Sequence, residues 1–471
     1  MARALMIQGT SSWAGKSLLT TALARLIARR GIDVAPFKGV NMSNNARAVE
    51  GGEIGVAQFL QARAARVTPE VRMNPVLIKP ESQTSSQVVL LGRPDHEISA
   101  VDWRERAPLL RAAVDESLAE LLNLHDVVIA EGAGSPAEIN LYDVDLANMH
   151  VARAADADVL LVADINRGGA FAHLYGTWAL LPEQDRARIK GFILNRFRGD
   201  PALLAPGPEQ LEELTGVPVL GVVPWLAHAL PDEDGIAAPA AAAPDGAPRV
   251  AIIRYPAASN LDEFKPLDGV AELVWATTPE QLEDADLVVL PGSKNVGADL
   301  AWLRSARFDR ALALRVASAG RVLAICGGMQ MLGGAIADPA GLEGGDTVGV
   351  GFLPLVTTLS EDKRVTATNA AFAQLDGPWA ELSGMHVDGY EIRHGISEAG
   401  EGLTAAISGG LGFASGPVLA VYLHGLFENP KFTAALVGAA PVGDLDQTLD
   451  DLADAVEPHL DMNAILAMIA P

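Results

Sequence analysis

A strand-like run, ALMIQ, leads directly into GTSSWAGKS (Gly9–Ser17) and then into LLTTALARLIARR, whose apolar residues recur at helical spacing. A glycine-rich turn between a buried strand and a helix aims several backbone N–H groups and the positive helix end at one point, which makes an anion site. Lys16 adds a point charge for terminal phosphates, and Ser17 adds a hydroxyl ligand for a divalent cation. Gly9, Thr10 and Gly15 supply the loop itself, with five residues between the two glycines where the commonest phosphate loop has four. A strand, a phosphate loop and a helix in that order commit the first part of the chain to a parallel α/β sheet with its site at the carboxyl edge.

The rest of the chain keeps that rhythm. DVVIAEG, DVLLVADI, GFILNRF and PVLGVVP follow in the first half; RVAIIRY, AELVWA, DLVVLPG, RVLAICGG and VLAVYLHG make a second series. Continuous Val/Ile/Leu runs of this length, separated by helical patterns, indicate parallel strands buried on both faces. Between the two series lies LPDEDGIAAPAAAAPDGAP, where Ala, Pro, Asp and Gly replace any apolar period. The expected division is a domain over 1–229, a linker over 230–248, a second α/β domain over 249–435 and a helical extension over 436–471.

Composition narrows the function. A chain of 471 residues exceeds one ordinary core. Its net charge of −24 repels polyanions, which argues against nucleic acid and anionic membranes as partners, so any phosphate site is local. One cysteine, Cys326, excludes intramolecular disulfides and multi-cysteine metal sites and fits a reducing, cytoplasmic setting. MARALMIQG is too short in apolar residues for an export signal, and LGFASGPVLAVYLHGLF is broken by Gly, Ser, Pro and His, so it reads as buried sheet.

Individual residues then suggest chemistry. Glu131 stands just past a buried strand, where a carboxylate can bind the magnesium of a nucleotide directly or through water; its plainer role is a turn or capping acid. Lys38, Asn41, Ser43, Asn44 and Asn45 crowd polar groups behind another strand end, a set suited to an anionic, amide-bearing substrate or else to a solvated turn. Cys326 lies between a strand and a helical run, an elbow that exposes a nucleophile among backbone donors. His424 ends another strand and can take the thiol proton, while PGSKN offers Gly292 and Ser293 N–H groups to an oxyanion. Together they read as acyl transfer through a thioester.

The phosphate loop and Asn195, in GFILNRFRGD, resemble the dethiobiotin synthetase-like group of carboxylate-activating ATPases, in which such an Asn reads adenine. Over its whole length, the succession GTSSWAGKS, NMSNN, GGEIGVAQ, MNPVLIKP, EGAGSPAEIN, RGGAF, NRFRGD, PGSKN, CGGMQMLG and GYEIRHG, from about residue 4 to about residue 430, resembles the cobyric acid synthase family. The resemblance implies a P-loop NTPase-like, dethiobiotin synthetase-like domain followed by a class I glutamine amidotransferase-like α/β domain. It implies ATP and Mg2+ as cofactors, and L-glutamine and the corrinoid adenosylcobyrinic acid a,c-diamide as partners in an amidation. Carried onto this chain, Cys326 would attack glutamine, His424 would serve as acid and base, and Gly292 and Gly327 would hold the oxyanion. Lys16, Ser17 and Glu131 would bind magnesium ATP and Lys38 would steady the developing charge.

Three positions depart from the usual pattern. Leu426 stands where many triad enzymes carry Glu two residues after the histidine, which implies a Cys–His dyad or a distant acid. Arg393 replaces an expected His in GYEIRHG, so His394 is given no catalytic role, and Gly39-Val40 differs from the commoner Pro or Ala followed by Gln. The rivals are the sister amidase that makes the a,c-diamide, against which NMSNN and GGEIGVAQ argue, and a P-loop switch ATPase, which has no need of Cys326 and His424. A decayed glutaminase is disfavoured because both are present. Oligomeric state is left open; a homo-oligomer is compatible with the sequence.

Overall fold

Apolar residues follow one another through Ala4–Ile7 and Val127–Ala130, and both runs are buried on both faces. Successive side chains of a strand point to opposite sides, so such runs need a layer on each side. Leu5, Ile7 and Ile129 pack with the helix Lys16–Arg29, whereas Ala4, Met6, Val128 and Ala130 pack with Leu110, Val114, Leu118 and Leu121 of the helix Trp103–Leu124. The computed structural model describes residues 2–81, 85–228, 230–231 and 242–470.

The first sheet has six parallel strands in the order Val219–Pro224, Ile189–Phe197, Asp158–Asp164, Arg3–Gly9, Val127–Glu131, Val34–Phe37. The second has seven, in the order Glu272–Ala276, Arg249–Ile253, Leu287–Leu290, Arg321–Ile325, Val418–Val421, Gly412–Ser415, Thr404–Ile407. Its first five strands are parallel, Gly412–Ser415 runs opposite to them, and Thr404–Ile407 pairs antiparallel with Gly412–Ser415. The fold class is therefore two α/β domains, each built on an open, mostly parallel sheet. Residues 232–241 of the expected linker lie outside the described residues.

Two features join the domains. A long antiparallel hairpin, Leu355–Ala371 with His386–Ala399, extends from the second domain. It meets the short hairpin Ala46–Val49 and Gly52–Gly55 of the first domain, and Ala46, Leu77, Val89, Tyr390 and Ile392 form a small apolar cluster there. Glu53, fully buried, is held by Lys79 of its own domain and by Lys363 of the other.

The closing segment supplies the second join. Helices Leu445–Val456 and Met462–Met468 return to the first domain, where Leu449, Leu452, Val456 and Ile465 enter the core beneath the helix Lys16–Arg29. Arg25, with a fully buried side chain, pairs with Asp450 through two bonds of 2.8 Å each and with Asp446 at 2.9 Å. Among the described residues no helix is long and apolar enough to cross a membrane.

Asp450→Ala would strip the two-pronged partner from a buried guanidinium at a cost of about 1.5–3 kcal/mol. A lowered first thermal transition in the full chain is the expected result; unchanged melting would show that Asp446 alone holds Arg25.

Candidate active site

Three neighbouring strands of the second sheet, Leu287–Leu290, Arg321–Ile325 and Val418–Val421, run parallel and end on the same edge. The residues that leave those ends are Gly292, Cys326 and His424, so sheet order alone gathers them. This edge, close to where strand order reverses, is the usual site position in open α/β sheets.

Cys326 sits at φ 50°, ψ −108°, a left-handed conformation that non-glycine residues rarely adopt, at the start of the short helix Gly327–Leu332. Its Sγ lies 3.6 Å from the Ile392 carbonyl oxygen and is in hydrogen-bond contact with the His424 ring. Close approach dictates the glycines around it. A side chain at Gly292 would meet His424 Cε1 at 2.8 Å, and one at Gly327 would meet the Ser293 nitrogen at 2.8 Å. The Gly292–Ser293 strand is fixed from behind by Asp299, which accepts from Ser293 Oγ at 2.6 Å and from Ala257 N at 3.0 Å. Burial raises the Asp299 carboxyl to about 6.

The third acid comes from far away in sequence. Glu263, fully buried in the short helix Leu261–Leu267, receives His424 Nδ1 at 2.9 Å on Oε1 and the Gly425 N–H at 2.9 Å on Oε2. Burial disfavours the imidazolium, but the Glu263 carboxylate and Cys326 outweigh it and raise His424 to about 10. The ring is also stacked on Tyr390, with centroids 5.4 Å apart. Sequence reasoning left the acid unidentified. The available signal was LDEFKPL, in which Leu261, Phe264 and Leu267 recur every third residue and draw the acids between them into an apolar setting.

Beside Cys326 is a cavity lined from both domains, by Asn44 and Lys79 of the first and by Lys294, Glu343, Lys363 and His394 of the second. Burial, reinforced by Lys363, brings Lys294 down to about 8 and His394 to about 3, while burial lifts Glu343 to about 7. Cationic and acidic groups side by side suit a small zwitterion. His394 is held neutral among lysines and bonds the Ser360 carbonyl through Nδ1 at 3.0 Å.

The first sheet gathers a second set at its own carboxyl edge. Gly9 ends a central strand, Glu131 ends the strand beside it, and Lys38 follows Val34–Phe37, the strand beyond that. Glu131 receives Ser17 Oγ at 2.8 Å, Lys38 Nζ at 2.8 Å and Gln61 Nε2 at 2.5 Å. Lys16 Nζ donates to the carbonyls of Ser11 at 3.1 Å and Gly134 at 3.2 Å. Gly15 has φ 93°, and a Cβ there would strike Asn195 Nδ2 at 2.0 Å; that nitrogen donates to the Ala14 carbonyl at 2.9 Å.

These residues fit a magnesium nucleotide. Thr10 Oγ1 is buried in the loop with no protein partner, as a group meant for a phosphate oxygen would be. Ser17 and Glu131 already face one another. Ser17 and Glu131, 2.8 Å apart, are the residues that would hold a magnesium ion beside the nucleotide phosphates.

The polar set behind the second strand is divided by the structure. Lys38 faces the phosphate loop through Glu131; Asn41 donates to Gln58 at 2.9 Å inside the first domain; Ser43 Oγ accepts from Asn45 N at 3.1 Å. Asn44 lines the cavity beside Cys326, and Asn45 Oδ1 accepts from Leu261 N of the other domain at 3.1 Å.

Residues 5–234 match the CobQ/CobB/MinD/ParA nucleotide binding domain, and residues 249–432 match the CobB/CobQ-like glutamine amidotransferase domain. The chain is 52% identical to the cobyric acid synthase of Variovorax paradoxus (strain S110), with 99% of each chain covered. It is 53% identical to that of Paracidovorax citrulli (strain AAC00-1), with 98% of each covered, and 51% identical to that of Polaromonas naphthalenivorans (strain CJ2), with 100% of each covered. With full-length identity at this level and both domains matched in order, the chain belongs to the cobyric acid synthase family.

Proposed function

We propose that the chain amidates the b, d, e and g side-chain carboxylates of adenosylcobyrinic acid a,c-diamide with glutamine nitrogen and ATP, giving adenosylcobyric acid. The observation that carries the reading is the presence, on one chain, of a Cys326–His424–Glu263 line and a phosphate loop whose Ser17 faces Glu131 at 2.8 Å. Each half is incomplete for amide synthesis. A carboxylate is a poor electrophile because its leaving group would be oxide, and glutamine is a poor nitrogen donor until its amide bond is cut.

In the second domain the proton shared by Cys326 and His424 rests on His424, and the sulfur of Cys326 attacks the side-chain carbonyl carbon of glutamine. The oxygen that becomes negative takes the N–H groups of Gly292 and Gly327. His424 returns the proton to the amide nitrogen, ammonia leaves, and water then cleaves the glutamyl thioester to glutamate. Lys294 and Glu343 suit the α-carboxylate and α-ammonium of the amino acid.

In the first domain Gly9, Thr10, Gly15 and Lys16 seat the nucleotide phosphates, and Asn195 braces the loop. Bound magnesium neutralises charge on those phosphates. Lys38 stands where charge develops on the carboxylate as it takes the phosphoryl group. Ammonia attacks the resulting acyl phosphate carbon, phosphate departs, and the amide remains.

Two experiments test this reading. Mass spectrometry of the a,c-diamide incubated with protein, magnesium ATP and glutamine is expected to show four amidations, with Cys326→Ala working on ammonium and not on glutamine. Amidation of cobyrinic acid alone would support the sister activity instead. In Glu263→Gln the imidazolium loses its carboxylate, so His424 titrates back toward its ordinary 6.5 from about 10. The imidazolium then disappears at lower pH, and the alkaline limb of kcat/KM for glutamine hydrolysis moves to lower pH. An unmoved limb would remove Glu263 from the line.

A further inference from the structure

The segment Asn45–Arg47 belongs to the nucleotide domain, yet its bonds run to the glutaminase. Asn45 Oδ1 accepts from Leu261 N at 3.1 Å, and Ala46 N donates to Asn260 Oδ1 at 3.1 Å, a reciprocal pair that pins the start of the helix carrying Glu263. Arg47 then reaches three elements that surround the His424–Glu263 bond. One NH2 group donates to Asp262, next to Glu263, at 2.6 Å; the other pairs with Glu428, in the turn after His424, at 2.5 Å. Its guanidinium carbon lies 5.0 Å from the centroid of Tyr390, whose other neighbour is the His424 ring. A Cβ on Gly425 would come within 3.5 Å of the same guanidinium.

The form of this contact is informative. Arg47 and Asp262 are 6% and 3% exposed, so neither charge is solvated by bulk water. A guanidinium forked onto a single carboxylate would satisfy both best. Arg47 instead splits its two ends between Asp262 and Glu428, which leaves its own Nε and Asp262 Oδ1 buried without partners. Unpaired buried groups cost stability. The arrangement gives up ion-pair strength and fixes the distance between two catalytic segments.

We propose that Arg47, with Asn45 beside it, is a positioning residue for glutamine hydrolysis, through which the nucleotide domain sets the His424–Glu263 geometry. The proposal rests on the glutaminase reading of Cys326 and extends it across the domain boundary. Arg47 does not line the cavity at Cys326 and acts through Glu263 and Tyr390. The glutaminase is therefore complete only when the two domains are seated, and motion of the segment after Lys38 would reach His424 without a separate signalling element.

The test uses the full chain with R47A, R47K, E263Q and the R47A/E263Q double variant, measuring glutamine hydrolysis and ammonium-supported amidation side by side. R47A is expected to lower kcat for glutamine about tenfold or more, the scale on which groups that orient a reactive residue act, with KM for glutamine within about twofold. Ammonium-supported amidation stays near wild type. R47K, which keeps the charge but cannot span both acids, falls between and remains informative if R47A fails to fold. Because Arg47 acts through Glu263, the double variant is expected to be no more than about twofold worse than E263Q. Multiplying losses, or equal loss with ammonium and with glutamine, would overturn the proposal and return the segment to the corrinoid site. If E263Q hydrolyses glutamine like wild type, the line through Glu263 fails instead.

Discussion

A carboxylate with no exposure to solvent is the interaction on which the glutaminase depends. Burying the Glu263 charge is costly unless every lone pair that matters finds a donor, and its two oxygens find His424 Nδ1 and the Gly425 N–H. That pairing fixes the orientation of the ring toward Cys326 and keeps it cationic to about pH 10. Glu263 cannot hold its own place, since it sits in a helix of seven residues that is irregular at Pro266. Neighbouring elements have to supply the rigidity, and several of them come from the other domain.

Both sites follow the same architectural rule. Parallel strands lying side by side deliver their next residues to one edge, so residues distant in sequence converge without long loops. In the second sheet this gathers Gly292, Cys326 and His424; in the first it gathers the phosphate loop, Glu131 and Lys38. The seam between the domains carries polar chemistry as well as apolar packing. Glu53 lies between Lys79 and Lys363, and the cavity at Cys326 has walls from both domains. Cations near the thiol and its cavity also disfavour a second positive charge there, which suits release of nitrogen as neutral ammonia.

What could be read from the sequence follows from which physical signal each element carries. Strands such as Val127–Glu131 and Leu287–Leu290 are buried on both faces and announce themselves as continuous apolar runs, so both sheets and the edge positions of Cys326, His424 and Glu131 were legible. Val34–Phe37, also in the first sheet, carries a proline and only four residues. The hairpin Leu355–Ala371 with His386–Ala399 has one face in solvent and many polar residues, and it gave no run to find. Glu263 was hidden because its partner is 161 residues away and the bond joins two short elements. NMSNN read as one polar cluster; the backbone turns within it, sending Asn41 inward and Asn44 and Asn45 toward the other domain.

The proposed reaction needs the nitrogen released at Cys326 to reach a carboxylate activated in the other domain, and the cavity at Cys326 has walls from both domains. Coupled turnover with amide-15N glutamine in the presence of excess unlabelled ammonium tests it most directly, read as the isotope content of each new corrinoid amide. Retention of the 15N label in the product is the predicted result. Dilution of the label to the composition of the bulk ammonium pool would contradict the account, because the two sites would then share nothing but a solution.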